Sequence, residues 1–274
     1  MTRLSVVGNI SLDRTRYPDH RGSVRLGGAA LLVSLASARA GRSTAPVAVV
    51  GSDLAALPGS ARIPALDWSA VRVGDGPSTS FALDYSSGGQ LLGVQAEYGV
   101  AVELTGHALA HIARHPADAF HVCCRRPLDL PAILGALAKA GCRFSVDFFL
   151  PSAQQTLAES APWLSVANIV FVNAAEYALL AETADATALA EVVVTDGPRT
   201  ARVLCRGEQV ATACPTSEVV GEVTGAGDTL AGVYLAARAG GSSPAIALSA
   251  GVRAASRHVS APSLSIPMPR IRPS

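Results

Sequence analysis

The chain has 274 residues, of which 49% are hydrophobic and 16% charged, a balance that excludes a disordered polymer. That length buries one large core, or one core with a small appendage. A formal net charge of +1 leaves little to attract nucleic acid or an anionic membrane, so neither is expected as a partner.

The opening Met1-Thr2-Arg3-Leu4 runs straight into a strand without a signal-peptide pattern, and no apolar run is long enough to span a bilayer. Five cysteines, odd in number and without Cys-x-x-Cys pairing, are the pattern of reduced cytoplasmic thiols. Leu4-Ser5-Val6-Val7-Gly8 reads as a buried strand, continued by Asn9 to Asp13, where Ile10 and Leu12 alternate with polar residues. Asp13, just past that strand, suits either a solvated turn or a clamp on two neighbouring hydroxyls. After a short strand at Val24-Arg25-Leu26, Gly27-Gly28 opens a helix from Ala29 to Ala40, closed by Gly41.

Val47 to Asp53 is a second buried strand and turn, and the proline-interrupted stretch to about Asp67 reads as loop with at most a short helix. Val71–Val73, Phe81–Tyr85 and Gln90–Val94 read as short strands, the last two joined by the turn Ser86-Ser87-Gly88-Gly89. With residues 12–17 and 24–26 they predict a small sheet set apart from the main one. His107, His111 and His115 recur every four residues on a helix; lacking an acidic or cysteine partner, they read as a solvated face rather than a metal site.

From Ala119 the pattern alternates strand and helix: strand Ala119–Cys123, helix Leu130–Ala140, strand Arg143–Asp147, strand Asn168–Asn173 and a helix from Ala174. Such alternation predicts parallel pairing with right-handed crossovers, and ligands gather beyond the carboxyl ends of those strands. Arg125 and Asp147 stand at such ends. Arg125 fits a phosphate or, equally, a surface cap on carbonyls. Asn173 with Glu176 reads in isolation as a capped helix start with Glu in the first turn. Val192 to Gly197 is another strand and turn, Ala201–Cys205 and Glu208–Ala213 form a hairpin around Arg206-Gly207, and Pro244 to Val259 is the last helix. The Pro- and Ser-rich residues 261–274 read as a flexible tail.

Between hairpin and last helix stands Gly221-Glu222-Val223-Thr224-Gly225-Ala226-Gly227-Asp228, followed by an apolar helical pattern. Its glycines allow a tight turn and close approach of an anion to helix-start amides, and Asp228 falls in the first turn, where the helix dipole favours its charge. A Walker A loop is excluded because the chain's only lysine, Lys139, lies elsewhere; a dinucleotide fingerprint is excluded because Leu230 stands where a third glycine is needed. Thr224 through Asp228 resembles the second sequence motif of the ribokinase, or PfkB-type, carbohydrate kinases, although Glu222 and Val223 replace that motif's first two residues. Gly27-Gly28 and the following helix resemble the first motif, with Leu32 where the family has Asn.

The resemblance implies a three-layer α/β/α doubly wound, largely parallel sheet (ribokinase-like), with a β lid built from about residues 12–26 and 71–98 that often pairs two subunits. It implies transfer of the γ-phosphoryl group of ATP, with Mg²⁺, to an alcohol. By position it assigns Asp228 as the base, with Gly225, Ala226 and Gly227 as the anion hole. Asp13, Gly27, Gly28, Leu32, Arg125 and Asp147 fall to the acceptor. Asn173, Glu176, Thr195, Gly197 and Thr224 fall to the nucleotide, Glu176 reaching Mg²⁺ through water. Leu32, Phe148 and Phe149 make the acceptor crevice greasier than a free pentose needs and suggest a ring-bearing alcohol such as a nucleoside. Arg125 and Arg126 suggest a sugar phosphate instead, and a non-catalytic binder on the same fold is the third reading.

Overall fold

A computed structural model describes residues 2–18, 21–59, 66–87, 91–215 and 223–260. The main sheet is built from β1 (Leu4–Val7), β4 (Thr44–Val50), β5 (Val71–Val73), β8 (Ala119–Cys124), β9 (Arg143–Phe148), β10 (Ile169–Asn173), β11 (Val192–Thr195), β12 (Ala201–Cys205) and β13 (Glu208–Ala213). Their order is β13-β12-β11-β10-β9-β8-β1-β4-β5. Pairing is parallel from β5 through β11 and antiparallel across β11, β12 and β13. The inner strands β1 and β4 are buried on both faces and therefore read as continuous apolar runs.

Helices cover both faces. α2 (Leu104–Arg114), α3 (Leu130–Lys139), α4 (Ala153–Leu164) and α5 (Ala174–Thr183) share one apolar cluster with Val7, Val47, Phe120 and Val146. On the other face, α1 (Ala29–Arg39), α6 (Ala226–Ala239) and α7 (Pro244–Ser260) pack around Leu4, Val6, Phe171 and Tyr234. This is the doubly wound, three-layer fold that the resemblance implies, with the parallel pairing that the alternating pattern predicts. α4 lies in a stretch to which the sequence reading gave no element; Pro162 inside it disguises the helix.

A second sheet stands apart, formed by β2 (Ser11–Arg16), β3 (Arg21–Gly27), β6 (Thr79–Tyr85) and β7 (Leu91–Glu97) in the order β3-β2-β6-β7. One expected member is missing from it. Val71–Val73 pairs in parallel with Ala48–Val50 and so edges the main sheet. Three residues carry too little alternation to say which sheet they join; a neighbour in register decides it. Of the expected hairpin turn, Ser86 and Ser87 are described, while Gly88 and Gly89 lie outside the described residues, as do Gly221, Glu222 and the tail.

Candidate active site

The carboxyl ends of β1, β8, β9, β10 and β11, the start of α6 and the inner face of the small sheet enclose one cavity of about 360 Å³. Its floor carries Thr224, Gly225, Gly227 and Asp228; its sides carry Asp13, Gly28, Leu32, Arg125, Asp147, Asn173, Glu176 and Thr195. Twelve of the residues singled out from the sequence therefore converge on one space. Three do not line it: Gly27, Ala226 and Gly197.

Gly225 caps α6 in the left-handed region, at φ 83°. A Cβ there would lie 2.7 Å from Leu32 Cδ1, so the leucine seals the turn and a glycine is required on both counts. The amides divide. Ala226 donates to Val223 O at 3.1 Å and is unavailable to a ligand, which corrects its expected place in the anion hole. The Gly227 and Asp228 amides have no acceptor among the described residues, and both residues face the cavity. His258 on α7 shares a 2.7 Å hydrogen bond with Thr224 O and so braces the turn from behind.

Asp228 is half-buried at that floor. Burial pushes its carboxyl above the ordinary range and Asp147 adds repulsion, while the Arg125 guanidinium pulls the other way. Arg125 donates to Asp147 Oδ2 at 2.8 Å and its guanidinium lies 5.3 Å from the centre of the Phe149 ring. Burial likewise raises the Asp147 carboxyl, opposed first by Arg125. Arg125 thus holds the Asp147 carboxylate through one terminal nitrogen, while its buried Nε has no hydrogen-bond partner among the described residues.

On the opposite wall, Ser11 Oγ donates to Asp13 Oδ1 at 2.6 Å. Gly27 serves that carboxylate indirectly: a Cβ on it would fall 2.0 Å from Asp13 Oδ2. Gly28, at φ 92°, starts α1 hard against Asn9 O, where a Cβ would sit at 2.3 Å. Glu176 forms a reciprocal capping box with Asn173, its Oε2 accepting from the Asn173 amide at 2.8 Å. It nonetheless lines the cavity, and burial with Asp147 repulsion lifts its carboxyl to about 7. Cap and cavity carboxylate are thus one residue. Gly197 is exposed in the turn after β11.

The model of the pfkB family of carbohydrate kinases matches residues 1–271. The chain belongs to the PfkB family. It is accordingly a kinase, a phosphotransferase with a hydroxyl acceptor, in a family of ATP-dependent enzymes that usually use Mg²⁺. A cytidine kinase from Thermococcus kodakarensis is 28% identical over 250 residues, covering 86% of this chain and 88% of that one. Among solved structures, the nucleoside kinase of Burkholderia thailandensis in complex with inosine superposes with a TM-score of 0.78 at 19% identity, covering 97% of this chain and 94% of that one. Adenosine kinase from Sinorhizobium meliloti gives 0.77 at 18% identity, with 94% of each covered. At these identities the two structures establish the shared fold.

Three features of this PfkB cavity were not singled out from the sequence. Asn9 lines it with a buried Oδ1 that has no hydrogen-bond partner, while its Nδ2 donates to Arg126 O. Phe81 contributes an aromatic ring from β6. Tyr85, the last residue of β6, shares a 2.7 Å hydrogen bond with Thr224 Oγ1, joining small sheet to phosphate turn, and stacks on Tyr17 at 5.3 Å. A contact spanning 139 residues leaves no local pattern to read. The expected solvated histidine face is also corrected: His111 is buried and bonded to Ser5 Oγ at 3.0 Å, and His107 to Ala70 O at 2.8 Å. α2 turns that edge toward β1 and β4, which periodicity alone cannot orient.

Proposed function

We propose that this chain transfers the γ-phosphoryl group of ATP to a hydroxyl of a nucleoside or similar ring-bearing alcohol. The observation that carries this reading is the placement of Asp228 beside helix-start amides unpaired among the described residues, in a cavity whose lining includes the apolar side chains Leu32, Phe81, Leu83, Phe148 and Phe149. Asp228 takes the hydroxyl proton as the oxygen attacks in line, and burial, by raising its pKa, makes it a better base than a free aspartate. The Gly227 and Asp228 amides hold the charge that develops on the moving phosphoryl group. Asp13 accepts hydrogen bonds from two acceptor hydroxyls, and Leu32, Phe81, Leu83, Phe148 and Phe149 offer apolar surface to a ring.

Mg²⁺ would neutralise the triphosphate, and the buried carboxylate of Glu176, beside Asn173 and Thr195, is the group here suited to hold its water shell. Pairing of Arg125 with Asp147 weighs against a sugar phosphate. The 28% identity to a cytidine kinase points the same way as the apolar wall.

Coupled ATP turnover on a panel of nucleosides, free sugars and sugar phosphates tests both parts. Turnover is expected with a nucleoside, and Asp228→Asn is expected to lose on the order of 10²–10⁴-fold in kcat while its melting temperature still rises with ATP. Preference for a free sugar would overturn the acceptor; near-normal turnover by the variant would overturn the base. ATP consumption with no member of the panel would favour the binding protein.

A further inference from the structure

Beneath the floor of the cavity, three side chains with metal-ligating atoms project from one face of the main sheet. His121 and Cys123 are two residues apart on β8, hence on the same face, and Asp147 on β9 stands in register with Cys123. His121 Nε2, Cys123 Sγ and a carboxylate oxygen of Asp147 all lie within 4.8 Å of one another. The histidine and cysteine are fully buried and Asp147 is 7% exposed.

Two of these atoms are orphans. His121 Nε2 and Asp147 Oδ1 face each other at 3.9 Å, too far for a hydrogen bond, and neither atom has a well-formed hydrogen bond among the described residues, although the Cys123 thiol and Cys124 amide lie close enough to the Asp147 carboxylate to lower its pKa. Leaving both bare in the interior is costly. Their surroundings are ordered for a ligand role. Ser145 Oγ, which donates to Phe120 O at 3.3 Å, accepts from His121 Nδ1 at 2.9 Å, fixing the tautomer that leaves the Nε2 lone pair open. Asp147 gives Oδ2 to Arg125 and keeps Oδ1 for the gap.

We propose that His121, Cys123 and Asp147 form a buried binding site for a divalent ion of borderline softness, of the Zn²⁺ or Co²⁺ type. Ion–ligand distances of about 2.0–2.3 Å span the gap after a modest inward movement, and a thiolate with imidazole selects such an ion over Mg²⁺. Binding forms the metal–sulfur bond as the Cys123 thiol gives up its proton to solvent. The charges then balance: Asp147, Asp228 and the thiolate against Arg125 and the dication. Asp147 lines the cavity, which supplies the ion's route in.

The test is Co²⁺ titration of the chelator-treated full chain, followed by absorbance, equilibrium dialysis and proton release. One Co²⁺ per chain, a near-ultraviolet thiolate-to-cobalt band and one proton released per ion are expected. Cys123→Ser should abolish the band, and Cys214→Ser, at an exposed thiol, should leave it intact. If Cys123→Ser fails to fold, Ser145→Ala decides, because freeing the imidazole should weaken cobalt binding about tenfold or more with the band retained. Absence of the band, its survival in Cys123→Ser, its loss in Cys214→Ser or unchanged affinity in Ser145→Ala would each overturn the proposal.

Discussion

Arg125 sets the working range of the proposed base. Its positive charge lowers the Asp228 pKa, against burial and Asp147, which raise it. The acid limb of the kcat profile is therefore expected above the ordinary aspartate value of about 3.8, because turnover falls as Asp228 takes up its proton. Removing the guanidinium in Arg125→Gln takes away the one strong opposing charge, so that limb should move further up in pH. Initial rates measured from acid to neutral pH check the sign; a limb that stays put or moves down would show that another group titrates. At this scale the sequence was a fair guide to which residues line the cavity and a poor one to what they touch. Asp13, Asp147 and Asp228 could be singled out by their places after strands or at a helix start. That Leu32 plugs the turn at Gly225 could not, because the contact depends on how α1 and α6 pack.

Among the elements, α6 carries the site and is fixed by its neighbour α1. Gly232 is the point of closest approach: a Cβ there would lie 2.4 Å from Val33 O and 2.7 Å from Ala36 Cβ, neither of which can swing away. Gly232→Ala is thus expected to overpack the contact by about 1–3 kcal/mol despite the better helix propensity of alanine. A fall in the melting temperature, with a lower kcat as the start of α6 shifts, is the predicted result; a stabilised variant would contradict this packing. Strands and helices themselves were mostly legible, because buried parallel strands write long apolar runs and glycines punctuate α1 and α6. What stayed illegible were α4, interrupted by Pro162, and the sheet of the three-residue β5, which is chosen by pairing with β4.

For the molecule as a whole, buried histidines make folding sensitive to acid. Burial, with repulsion from His115 and Arg3, lowers the His111 pKa from 6.5 to about 4. The unfolded chain then takes up a proton as pH falls below about 6.5 while the folded chain resists until about 4, so stability drops through that window. The slope reaches about 1.4 kcal/mol per pH unit for one such proton. Glu176 works in the opposite sense, since a carboxyl raised to about 7 favours the folded state as pH falls toward 4.5. Urea unfolding of wild type and His111→Gln at several pH values isolates the histidine: the variant should lose stability less steeply below pH 6.5. Identical slopes would place the effect elsewhere.

The Tyr85–Thr224 hydrogen bond carries one consequence for traffic through this enclosed chamber. A strand of the small sheet is thereby fastened to the turn at the floor of a cavity that Tyr85 itself lines. Any opening of the small sheet to exchange acceptor and product would undo and remake that fastening, so a tyrosine far in sequence from the proposed base would then help to set the pace of turnover.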